Sequence, residues 1–186
     1  MTPTADQQVA AYPTAIAFCM TSALWFAGAT SFGMIAAGYL IAPDFLANIG
    51  WLHFGKARPI HVNLVLFGFV TPGFLAASFY FIPKLLRTEL YSETLGIFTA
   101  ILWNITLISA VLGIGAGYSQ GREYAELPWA VDIMVVILFV LVIINVVMTI
   151  RQRQESILYV SVWYTTAAVV LTASTYIIGN VIWKPD

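Results

Sequence analysis

Residues 59–83 read PIHVNLVLFGFVTPGFLAASFYFIP, with no Asp, Glu, Lys or Arg anywhere in the run. A spanning helix needs about 20 mostly apolar residues, so this stretch is long enough to cross a bilayer. Four more runs of the same kind lie around it, at about 14–42, 95–118, 129–150 and 158–183. The pattern predicts an all-α membrane protein. Residues 1–186 read as a single transmembrane domain, a bundle of about five helices.

Composition agrees. Of the 186 residues, 60% are hydrophobic and 9% charged, against about 25% charged in a soluble domain. Eight Lys and Arg face nine Asp and Glu, which leaves no basic surface for nucleic acid. Cys19 is the single cysteine, so no disulfide can form within the chain. Its place in an apolar run predicts a small buried residue. Residues 1–13 contain no Lys or Arg and so lack the positive region of a cleaved signal. The first run is therefore expected to be a retained helix.

The connections, at about 44–58, 84–94, 119–128 and 151–157, are short and polar. None can hold a second domain. With five spans, the first and third connections share one membrane face. Charge does not choose that face. Lys84, Arg87, Arg151 and Arg153 on one side balance Lys56, Arg58, Arg122 and Lys184 on the other, so the positive-inside rule is silent. Trp51, Trp129 and Trp183 fall at expected boundaries, as interfacial aromatics do. Gly113, Gly115 and Gly117 predict close helix packing. Asp132, at the start of the fourth run, is the one Asp, Glu, Lys or Arg inside an apolar segment, placed to reach the interface or a helix N-terminus.

His61 carries most of the chemical signal. An ionisable group within a span is functional by default, and on position alone it is either a ligand or a packing residue bonded to a neighbouring helix. His53, in the first connection, reads as interfacial. Arg58 lies three residues before His61, on nearly the same helical face and nearer the water. An imidazole in an apolar slot below a guanidinium is what a haem asks for, since the iron takes the ring and the propionates take the fork. Gly68 would leave space for a flat ring on that face. Glu123 and Glu126, in the third connection and so on the same side as Arg58, offer oxygen ligands that suit calcium; a solvated turn is the alternative.

Three stretches resemble the catalytic subunit of the cbb3-type haem-copper oxygen reductases. They are Phe54-Gly-Lys-Ala-Arg-Pro-Ile-His-Val-Asn63, then Gly121-Arg-Glu-Tyr-Ala-Glu-Leu-Pro-Trp129 with Asp132 following, and Val162-Trp-Tyr164. Ala42-Pro-Asp44 also fits. The resemblance implies the N-terminal part of a twelve-helix fold. It makes His61 an axial ligand of low-spin haem b, sets Arg58 near the propionates, and assigns Glu123, with Glu126, to a calcium site. It implies oxygen reduction to water with electrons from cytochrome c, proton pumping, c-type cytochrome partners, and a bacterial inner membrane with the N-terminus cytoplasmic. Copper, the high-spin haem and the second ligand of haem b would belong to later helices or to a second chain. Residues 1–186 alone are accordingly expected to lack oxygen reductase activity. Nitric oxide reductases share much of the pattern, and a cofactor-free structural or transport subunit is the reading from another class.

Overall fold

The computed structural model describes residues 12–46 and 48–182. Five helices among them are long and apolar enough to cross a membrane. They are α1 (Pro13–Ile41), α2 (Phe54–Leu86), α3 (Glu93–Ala116), α4 (Trp129–Arg151) and α5 (Val160–Ile182). Trp183 and Lys184 lie outside the described residues. The observed spans match the expected ones except at α2, which begins at Phe54 and keeps Pro59 inside the helix. The two cations Lys56 and Arg58 hide that first turn and a half from a hydropathy reading. At 33 residues and about 1.5 Å per residue, α2 is roughly 50 Å long, well beyond the roughly 30 Å hydrocarbon core. Its first turns can therefore stand in the headgroup region.

A local defect interrupts α-helical bonding midway along α2. Leu64–Val70 is π-helical, and the amide of Thr71 reaches back five residues to the Leu66 carbonyl. Pro72 comes next and has no N–H, so in this register the Phe67 carbonyl loses its donor. Trp103 of α3 replaces it, donating its indole N–H to Phe67 O at 2.7 Å. Ser22 of α1 donates its hydroxyl to Phe69 O at 2.8 Å. Backbone groups at bilayer depth must be satisfied from within the protein, and here two neighbouring helices do it.

The core sits where α1 to α4 meet. Trp103 packs edge-on against Phe18 and Phe139, with ring centroids 5.9 and 5.8 Å away. Cys19, the neighbour of buried Phe18, is exposed rather than buried. A helix apolar all round does not reveal from its sequence which side faces protein, and Cys19 lies on the outer side. The glycines late in α3 also depart from expectation. A Cβ on Gly113 would lie 2.6 Å from the Pro128 ring, and one on Gly115 would meet Trp51 at 3.7 Å. Gly117 closes the helix at φ 97°. This row makes room for the connecting loops instead of for another helix.

Candidate functional site

His61 lies on the α1 side of α2. Its Nδ1 is 2.8 Å from the Ala29 carbonyl of α1, so the ring donates there and leaves Nε2 as the basic nitrogen. Gly33 gives the ring its seat, because a Cβ there would lie 2.7 Å from both Nδ1 and Cε1. The side chain remains half-buried, and no hydrogen bond to Nε2 is found among the described residues. A carbonyl on one nitrogen, fixing ring plane and tautomer, is how metal-binding histidines are commonly oriented. The room expected at Gly68 is filled. Trp25 Cβ is 2.8 Å from where a Cβ would stand, and its indole N–H donates to Asn104 Oδ1 at 2.8 Å.

The α3–α4 loop closes over the N-terminal turns of α2. Arg58 forms an ion pair with Glu123, so the two residues that parity sets on one face are brought together. Asn63 donates to Glu126 Oε2 at 3.2 Å, and Glu126 is buried. His61 thus has a loop carboxylate attached to α2 on either side of it. Lys56 reaches the Gly115 carbonyl at the end of α3, at 2.9 Å. His53 stands at the N-cap position of α2 without a side-chain capping bond, its backbone carbonyl accepting from the Lys56 and Ala57 amides, and its ring stacks on Tyr39 at 6.5 Å.

The loop is itself anchored. Gln120 Nε2 donates to Leu127 O and to Asp132 Oδ2, both at 2.6 Å. Tyr176 of α5 donates its hydroxyl to Asp132 Oδ1 at 2.6 Å. Asp132 is fully buried in the first turn of α4. Arg122 donates to the Gly179 carbonyl of α5 at 3.2 Å. Within the loop Gly121 and Tyr124 both adopt left-handed backbone, at φ 71° and 64°. That conformation costs a residue with a Cβ about 1–2 kcal/mol, and it persists only where the surroundings hold it.

Sequence reasoning names Arg58, His61, Glu123 and Glu126 but not Asn63, Gln120 or Tyr176. Asn63 stands two residues from His61 inside an apolar run, which is a usable signal; the other two become legible only in three dimensions. Glu123 and Glu126 face different partners. Among the described residues no group of three or more His, Cys, Asp or Glu could hold a metal ion.

Residues 14–184 match the family model for cytochrome c and quinol oxidase polypeptide I. The chain belongs to that family. The cbb3-type cytochrome c oxidase subunit CcoN1 of Stutzerimonas stutzeri is 27% identical over 177 residues, 95% of this chain and 37% of that protein. The cytochrome c oxidase subunit 1 of Rhodobacter capsulatus is 35% identical over 132 residues, 70% of this chain and 25% of its own length. A nitric oxide reductase polypeptide of Stutzerimonas stutzeri is 29% identical over 150 residues, 71% of this chain and 30% of that one. The chain thus spans roughly a third of the length of these curated relatives. As an oxidase polypeptide I family member with five apolar helices, it is a multi-pass membrane protein.

Proposed function

We propose that this chain is the N-terminal portion of the catalytic subunit of a cbb3-type haem-copper oxygen reductase, and that His61 is an axial ligand of its low-spin haem b. The observation that carries the reading is the ring itself: Nδ1 tied to the Ala29 carbonyl, Nε2 left basic, the side chain half-buried on a span. The bond to Ala29 alone would suit a packing histidine equally well; the unbonded Nε2 favours the ligand. A bound haem would supply reversible one-electron transfer. The chain's residues would hold and tune it. The Ala29 carbonyl makes the imidazole a stronger donor, and Gly33 fixes its plane. Arg58, half-exposed and paired with Glu123, stands one helical turn toward the water, where its guanidinium can balance propionate charge.

The remaining steps belong to the complete enzyme. The other axial ligand, the high-spin haem and the copper would come from the remainder of the catalytic subunit or from a second chain. Cytochrome c-type subunits would supply electrons. The reading carries a bacterial inner membrane, a cytoplasmic N-terminus and coupling to proton pumping. Calcium at Glu123 and Glu126 is the least supported part. Glu123 is engaged by Arg58 and Glu126 by Asn63, so these residues alone do not make a calcium site. Nitric oxide reduction is the second reading, favoured by the likeness to the nitric oxide reductase polypeptide. Copper against iron analysis of the complete enzyme's active site separates the two.

The test of His61 is His61→Ala in the assembled enzyme, followed by its reduced-minus-oxidised spectrum. Loss of the low-spin haem b band is expected. An undiminished band ends the assignment, because loss of packing alone leaves that band in place.

A further inference from the structure

We propose that Asp132 is a positioning residue: with Gln120 and Tyr176 it latches the 119–128 loop to α4 and α5, and through that loop it holds the stretch of α2 that carries His61. The proposal rests on the reading of His61 as a haem ligand. Asp132 is 0% exposed, and each of its carboxylate oxygens takes one short bond, from Tyr176 and from Gln120. A carboxylate inside a spanning helix is expensive, and an apolar side chain of similar size would often be neutral or more stable. What the carboxylate adds is direction. Gln120 turns one amide group onto both Asp132 and the Leu127 carbonyl, which pins the two ends of the loop to one another.

The pinned loop then grips α2 at two points, Glu123 on Arg58 and Glu126 on Asn63. These lie three residues before His61 and two after it. Arg122 adds a tie to the last turns of α5. The left-handed backbone at Tyr124 shows a loop held in an uphill shape by its anchors. Releasing the latch should therefore free the loop and shift the surroundings of His61 without removing any ligand.

The experiment uses the assembled oxidase with Cys19→Ala and a single reporter, Ala125→Cys, since Ala125 belongs to the loop itself and is only 8% exposed while the loop is held in place. Labelling by a water-soluble maleimide is compared between this parent and the same protein carrying Asp132→Leu, Asp132→Asn or Gln120→Ala. Hydrogen bonds to a charged group are strong enough that their loss should raise labelling roughly tenfold or more. The low-spin haem b band should remain, with a changed midpoint potential. Asp132→Asn should fall nearer the parent, because its amide oxygen still accepts from Tyr176. If Asp132→Leu does not assemble, Gln120→Ala decides. Unchanged labelling in Gln120→Ala overturns the latch. Raised labelling with an unmoved potential overturns its action on His61. Labelling needs no haem, so failure of the His61 assignment shows separately, as a band that survives His61→Ala.

Discussion

The two ends of this bundle are closed by different chemistry. At the end away from His61, side chains answer the unpaired groups of helix termini. Glu93 accepts from the Thr14 amide at 2.9 Å and from its hydroxyl. Asn145 bonds both the amide and the carbonyl of Ser92, at 3.2 and 3.0 Å. Thr149 accepts from the Tyr91 amide at 3.0 Å, and Ser92 caps α3. Each bond there has a local structural reason. At the His61 end two carboxylates, Glu126 and Asp132, are buried and bond side chains of α2, α5 and the loop rather than helix-end amides. Capping needs none of that. Both ends bury polar side chains, but buried carboxylates set the His61 end apart.

The largest effects should come from overfilling one seat at each end. Gly33→Ala drives a methyl group to 2.7 Å from the His61 ring, and Gly96→Ala drives one to 2.1 Å from Thr14 Oγ1. Overpacking of this kind costs about 1–3 kcal/mol, so both variants should melt earlier in detergent. Only Gly33→Ala should also perturb the low-spin haem b spectrum. Gly55→Ala, with nothing within 4 Å, serves as the control and should leave both measurements alone. An unaltered spectrum in Gly33→Ala would remove the contrast between the ends.

A smaller, one-sided effect is expected from Asn145→Ala. It strips Ser92 of both partners at the capped end. Interhelical hydrogen bonds in membrane proteins average about 0.6 kcal/mol and reach about 1.7, so a modest fall in thermal stability should follow. The haem spectrum and potential should not move. A moved potential would mean that the capped end also acts on the site.

The contrast between the ends explains what the sequence can reveal. Five apolar runs set the helices, because length and hydropathy suffice for a span, and parity alone puts Arg58 and Glu123 on one face. The start of α2 is hidden because Lys56, Arg58 and Pro59 look like a loop when read singly. Cys19 and the Gly113–Gly117 row mislead for one reason. In a chain apolar on every side, hydropathy does not separate an outer face from an inner one, or a seat for a loop from a seat for a helix. The latch is out of reach because Gln120, Asp132 and Tyr176 come from three elements, and Tyr176 looks like any tyrosine in a polar-flecked span. His61 stands out because it is chemically alone in its run.

The smallest change in stability, and the sharpest test of the His61 end, should come from Arg58 and Glu123. Their side chains are 42% and 60% exposed, and exposed ion pairs contribute about 0–1 kcal/mol, screened further by salt. A double-mutant cycle of Arg58→Gln and Glu123→Gln should therefore give a coupling in stability of less than about 1 kcal/mol. The haem potential should respond with opposite signs. Removing the Arg58 charge favours the oxidised, more positive iron and lowers the potential. Removing the Glu123 charge leaves Arg58 uncompensated and raises it. The double variant should lie between the two, and raising the ionic strength should shrink all three shifts. A pair that only braces the loop gives a different pattern. Either single variant then breaks the same contact, both move the potential in one direction or neither does, and the double adds nothing further. Shifts of equal sign in a redox titration of the assembled enzyme would assign the pair to the loop alone and leave the His61 end without its charge-balancing group.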